Sequence, residues 1–231
     1  MGGLLSPAHL NKRSELARVI DHTLLKPFAT AADIDRLCDE ALKYDLWSVC
    51  INPVHVKQAA WRLRGSNTKV CSVIGFPLGS SITEVKLMEA RVAIADGATE
   101  LDMVSNIGAL KSGNTADYFA DINALAAYSG RSGALLKVIL ECCYLTDEEK
   151  VRGARIAEQA GANFVKTSTG FGPGGATVAD VALLRRSVTR KTGVKAAGGI
   201  GSLAVALEMI RAGADRIGTS SGAKIVEELP P

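Results

Sequence analysis

The chain has 231 residues, of which 47% are hydrophobic and 22% charged, and its formal net charge is +3. That profile suits one soluble globular domain spanning residues 1–231 and excludes a disordered chain. The basic residues form no run, which argues against a nucleic-acid surface and for small anionic metabolites as partners.

Five cysteines, at 38, 50, 71, 142 and 143, are an odd number without a CxxC pair. They point to a reducing, cytoplasmic setting. No apolar run reaches spanning length and no charged-then-apolar leader is present, so no membrane association is expected. Gly2 and Ser6 satisfy the loose myristoylation pattern, but no basic cluster follows to support an anchor.

In chain order, strand-like and helix-like segments alternate. A short N-terminal helix from Pro7 to Leu16 leads into a first strand within 17–25, which has Asp21, His22 and Thr23 at its exit. A helix follows over Thr30–Tyr44. The second strand, 46–52, ends at Pro53, and 54–63 has helical spacing. The third strand, 69–76, runs into Pro77-Leu78-Gly79 and a helix from Ser81 to Ala95. Strand four occupies 98–104 and precedes a helix from Ser112 or Asn114 to Tyr128.

Strand five is 134–141, after which Thr146 and Glu149 form a capping box for the helix up to 161. The sixth unit places Ala162–Val165 as a buried strand, then Lys166, then a Thr/Ser/Gly loop, then Thr177 as the N-cap of a helix over 178–191. Strand seven, 194–199, precedes a helix over 202–213. The eighth strand, 214–219, precedes a last helix near Ser221–Glu228. Eight similar units without a linker predict an α/β fold, a single (β/α)8 TIM barrel with a short N-terminal helix. An open doubly wound sheet would also alternate, but it would carry a switch point.

In a barrel, chemistry sits at the carboxyl ends of the strands. Lys166 closes strand six, Lys195 lies in strand seven beside it, and Asp102 lies near the end of strand four. By strand alternation Lys166 shares a face with Phe164, and Asp102 with Glu100. If those faces point inward, two ammonium groups and a carboxylate converge in an apolar-walled site. Burial and a neighbouring positive charge both lower a lysine's pKa, and only the neutral amine is a nucleophile. Lys137, Glu141 and Glu100 are expected as buried ion pairs beneath the site.

Gly170 to Gly175 formally satisfies G-x-G-x-x-G, but the turn contains Pro173 and no acid stands at the expected offset, so no dinucleotide is expected. His9, His22 and His55 are dispersed and the cysteines lack ligand spacing, so neither a metal nor any other cofactor is expected. His22 is expected to be structural. Gly198-Gly199 after strand seven and Gly218-Thr219-Ser220-Ser221 after strand eight form glycine-rich loops where such barrels bind phosphate.

The blocks at 20–27 (IDHTLLKP), 49–53 (VCINP), 73–79 (VIGFPLG), 100–104 (ELDMV), 136–141 (LKVILE), 165–171 (VKTSTGF), 195–199 (KAAGG) and 216–222 (RIGTSSG) together resemble the deoxyribose-phosphate aldolases. The resemblance covers nearly the whole chain. It implies a cofactor-free class I aldolase, a lyase that interconverts 2-deoxy-D-ribose 5-phosphate with glyceraldehyde 3-phosphate and acetaldehyde. It further implies Lys166 as the Schiff-base lysine, Lys195 as the group that lowers its pKa, and Asp102 as the proton donor and acceptor. Asp21, Thr23, Asn52 and Thr169 would hold substrate hydroxyls or waters. Gly170, Gly198, Gly199, Gly218, Ser220 and Ser221 would hold the phosphate.

The chain departs from that family where some members carry a basic residue and this one has Phe171, and where an arginine is common and this one has Gly201. It ends in Leu229-Pro230-Pro231 without the terminal tyrosine of some members. Two other readings stay open: a transaldolase-like Schiff-base enzyme acting on another phosphosugar, and a non-catalytic phosphosugar-binding barrel. A homodimer is possible from the amphipathic outer helices.

Overall fold

A computed structural model describes residues 12–230. The myristoylation pattern and the first half of the Pro7–Leu16 helix lie outside the described residues. Eight parallel strands, β1 (Ile20–Leu24), β2 (Ser48–Ile51), β3 (Lys69–Ile74), β4 (Glu100–Val104), β5 (Leu135–Ile139), β6 (Phe164–Lys166), β7 (Gly193–Ala197) and β8 (Arg216–Thr219), close into a barrel in sequence order. β1 pairs with β8, so no edge is left open.

Ten helices surround the strands among the described residues: α1 (Arg13–Ala17), α2 (Ala31–Lys43), α3 (Val56–Arg62), α4 (Thr83–Ala95), α5 (Ile107–Lys111), α6 (Thr115–Arg131), α7 (Asp147–Gln159), α8 (Val178–Ser187), α9 (Leu203–Arg211) and α10 (Gly222–Glu227). Side-chain caps start most of them. Thr30 and Thr146 each form a capping box, and Thr177 and Ser202 accept from Asp180 and Val205.

Two segments differ from the sequence expectation. The stretch before α3 begins as a 3-10 turn over Pro53–His55, because Pro53 supplies no amide and fixes the first turn. Ahead of α6, the chain forms α5, a five-residue helix capped by Asn106. Five residues are too few to carry a periodic pattern, and the sequence reading assigned no element there.

Strand alternation sorts the core into two chemistries. Leu101, Met103, Leu136, Val138, Val165, Val194, Ala196 and Ile217 face outward and pack in the main apolar cluster with helix residues such as Ile34, Leu125 and Leu184. The residues between them point into the barrel and are polar or charged: Asp21, Glu100, Asp102, Lys137, Lys166, Lys195 and Arg216 are all at most 4% exposed. The helices therefore hold the barrel through apolar packing, and its interior is shared between an ionic network and a small cluster of Leu25, Cys50, Cys71 and Val73.

Candidate active site

The network is layered along the barrel axis. At its base Arg216 donates to Asp21 and Glu100, and its guanidinium lies 4.7 Å from the Trp47 ring centroid. Trp47 Nε1 donates to Glu100 at 2.8 Å. Lys137 Nζ bridges upward, 2.6 Å from Glu100 and 2.9 Å from Asp102 Oδ1. Lys195 Nζ bridges Asp21 Oδ2 at 2.6 Å and Asp102 Oδ2 at 2.7 Å. Lys166 Nζ, at the top, reaches the same Asp102 oxygen at 2.8 Å.

Charge balance singles out one residue. Asp21, Glu100 and Asp102 are matched by Lys137, Lys195 and Arg216, three against three, without any charge on Lys166. Burial pushes the Asp102 pKa upward, but Lys137, Lys166 and Lys195 outweigh it and hold the carboxyl well below the usual range. Burial likewise acts to lower Lys195, and the carboxylates of Asp102 and Asp21 outweigh it, so Lys195 stays charged well above the ordinary lysine range. Lys137 behaves in the same way, with Asp102 foremost among its counter-charges.

Above the network lies a cavity of about 400 Å³, open at the carboxyl ends of the strands. Lys166 is in its lining, whereas Lys195 and Asp102 are fully buried just beneath. The difference follows from strand length: β6 stops at Lys166, while Lys195 and Asp102 sit mid-strand in β7 and β4. Thr23, Thr169, Gly170, Gly198, Gly199, Gly218, Ser220 and Ser221 all line the cavity. Gly198 and Gly199 have φ of +91° and +78°, and Gly218 leaves room for the Lys195 side chain, whose Cε would lie 3.0 Å from an added Cβ.

Asp21 and Asn52 are placed elsewhere. Asp21 lies in the ionic base, bound by Arg216, Lys195 and Ser48, and does not border the cavity. Asn52 donates its side-chain amide to the Leu25 carbonyl at 3.2 Å and so shapes the exit of β1. Glu100 and Lys137 form the expected buried ion pair, but among the described residues Glu141 does not take part in one. Glu141 adopts the left-handed region, φ 58°, and accepts from the Thr169 amide at 3.0 Å and from the Thr169 hydroxyl. It anchors the loop after β6. His22 is structural, with Nε2 2.6 Å from Glu40.

The sequence reading passed over Lys26, which lines the cavity mouth and supplies positive charge near the glycine loops. Its signal was its place two residues beyond β1, at a strand's carboxyl end. Phe171 stacks edge-on against Phe76, with ring centroids 5.2 Å apart, and covers one side of the cavity.

A closed parallel barrel whose cavity is lined by Lys166 and Lys26, with Asp102 and Lys195 buried beneath Lys166, belongs to the class of (β/α)8 barrel enzymes. Residues 16–228 match the DeoC/LacD family aldolase. The chain is 58% identical to the deoxyribose-phosphate aldolase of Thermococcus kodakarensis over 96% of this chain and 99% of that one. It is 54% identical to the enzyme of that name from Carboxydothermus hydrogenoformans, over 94% and 96% of the two chains. Among solved structures, the tetrameric deoxyribose phosphate aldolase of Aeropyrum pernix superposes with a TM-score of 0.90 at 37% identity, covering 96% of this chain and 93% of that one. The chain belongs to the DeoC/LacD aldolase family and is a lyase.

Proposed function

We propose that the protein reversibly cleaves 2-deoxy-D-ribose 5-phosphate to D-glyceraldehyde 3-phosphate and acetaldehyde through an imine on Lys166. The observation that carries this is the place of Lys166 in the cavity lining, over an ionic network that is balanced without it. Lys166 adds to the C1 aldehyde of the open-chain sugar, and loss of water gives an iminium. The iminium draws the electrons of the C2–C3 bond as that bond breaks, and the C3 hydroxyl gives up its proton. Glyceraldehyde 3-phosphate leaves, the remaining enamine is protonated at C2, and water releases acetaldehyde and restores the amine.

Asp102 and Lys195 are the proton-handling pair. Asp102 Oδ2 touches both amines, so a proton can pass between the cavity and the buried lysine along one carboxylate oxygen. Thr23 and Thr169 face substrate hydroxyls. The backbone around Gly170, Gly198, Gly199 and Gly218, with Ser220 and Ser221, cradles the phosphate, and Lys26 adds charge at the rim.

Acetaldehyde release from 2-deoxy-D-ribose 5-phosphate, compared with turnover of a dihydroxyacetone donor, tests the reading. Preference for the acetaldehyde reaction supports it; preference for the ketone donor points to a transaldolase-like enzyme. Binding of the phosphosugar without turnover points to a silent barrel.

The reading extends to a homo-oligomer in a reducing cytosol. Its supports are the tetrameric relative and the five cysteines, all of them free. No described helix is long and apolar enough to cross a membrane.

A further inference from the structure

Cys50 and Cys71 are 21 positions apart in the chain, yet they are direct register partners on β2 and β3. Both side chains point into the barrel and both are fully buried. Cys71 Sγ donates to Asp102 Oδ1 at 3.1 Å, and Cys50 Sγ stands 3.8 Å from Asp102 Oδ2. The two sulfurs and one carboxylate oxygen lie within 4.8 Å of one another. Tetrahedral coordination with zinc-like bond lengths sets ligand atoms roughly 3.6–3.8 Å apart, so small side-chain adjustments suffice.

We propose that Cys50, Cys71 and Asp102 bind one thiophilic divalent cation, of the kind of Zn²⁺ or Cd²⁺, and that this silences the enzyme by taking Asp102 away from Lys166 and Lys195. The silencing half rests on the role given to Asp102 above; the binding half does not.

Three ammonium groups nearby would repel a bare dication. Coordination avoids that repulsion, because the ion displaces one proton from each thiol and both protons leave for solvent. The neutral dithiol becomes a neutral metal dithiolate, and the charge balance of the barrel interior is unchanged. Two thiolates select a soft ion over Mg²⁺ or Ca²⁺. Leu25 lines the cavity and belongs to the same buried cluster as Cys50, Cys71 and Val73, so an ion arriving from the cavity must displace the Leu25 side chain to reach the thiols.

The test is titration of the reduced, full-length protein with Cd²⁺ in chelator-free buffer. The ultraviolet thiolate-to-cadmium band and the bound ion by equilibrium dialysis are followed beside turnover. One ion per chain, with a thiolate band that rises as turnover falls by about 100-fold or more and reverses on adding EDTA, is the expected result. Cys71→Ala and Cys71→Ser should lose the band and the sensitivity, each judged against its own metal-free rate and thermal melt. Cys143→Ser, which removes the exposed thiol, should keep both. A band that survives in both Cys71 variants, or vanishes with Cys143, overturns the site. A Cys71-dependent band with undiminished turnover overturns the silencing and leaves the binding intact.

Discussion

Lys166 and Lys195 are register partners on β6 and β7, and both donate to the same Asp102 oxygen, at 2.8 and 2.7 Å. Only Lys166 borders the cavity. Lys195 is shared with a second carboxylate, Asp21, and the two carboxylates favour its charged form against the effect of burial. Two lysines of equal chemistry thereby differ in depth and in the carboxylates that face them.

That difference predicts different costs of substitution. Lys166→Leu leaves three buried anions facing three buried cations, so urea unfolding should change by no more than about 2 kcal/mol while turnover disappears. Lys195→Leu leaves Asp21 and Asp102 short of a counter-charge and should cost about 3–5 kcal/mol. Equal destabilisation by the two would show that Lys166 also balances a structural charge.

Lys137 makes the complementary case. It bridges Glu100 and Asp102 and never meets the cavity. Lys137→Met should destabilise the protein by about 3–5 kcal/mol, and adding Glu100→Gln should recover part of that loss. Normal stability with lost turnover would instead make Lys137 a participant in the chemistry.

Stability should form a plateau across neutral pH. Asp102 is held below its ordinary range by the lysines against the opposing effect of burial, and Glu100 by Lys137 and Arg216 in the same way. Depressed carboxylates stabilise the fold above their unfolded pKa, about 4, and that contribution is lost as pH falls through the lower folded values. Lys137 and Lys195 are raised, so their contribution is complete below about 10.4 and is lost as pH rises beyond it. Urea midpoints across pH should fall at both extremes; a midpoint that rises on acidification below pH about 4 contradicts the buried ion pairs.

Glu141 anchors the loop after β6 through the Thr169 amide and hydroxyl. Hydrogen bonds to a charged group contribute about 1.5–3 kcal/mol each, so Glu141→Gln should raise KM for the phosphosugar by about tenfold with a smaller change in kcat. Loss confined to kcat would place Glu141 in the chemistry.

Gly201 lies on the cavity rim, and an added Cβ there meets nothing within 4 Å. Gly201→Arg should strengthen phosphate binding by up to about 5-fold at low salt, an effect that added salt screens. Unchanged KM at low ionic strength would place the phosphate elsewhere.

Much of this was legible in the sequence because barrel strands announce themselves by composition and their exits by polar residues. Lys166, Lys195 and Asp102 were expected to converge on that ground, and their side chains do meet; the glycine loops follow β7 and β8 and line the cavity. The division of labour was not legible. The resemblance implied Asp21 as a substrate ligand, and the sequence carried no sign that Arg216, 195 residues away, holds it in the ionic base. Glu141 looked like an ion-pair partner, and its left-handed backbone turns it toward Thr169 instead. Cys50 and Cys71 carried no ligand spacing, since strand register and not sequence distance brings them together.

The most direct test of the central claim is reduction with borohydride in the presence of acetaldehyde, followed by intact mass and peptide mapping. Reduction converts a transient imine into a stable N-ethyl lysine. A single adduct on Lys166 is the predicted result. No adduct, an adduct on Lys195, or ethylation scattered over surface lysines would contradict imine chemistry at Lys166.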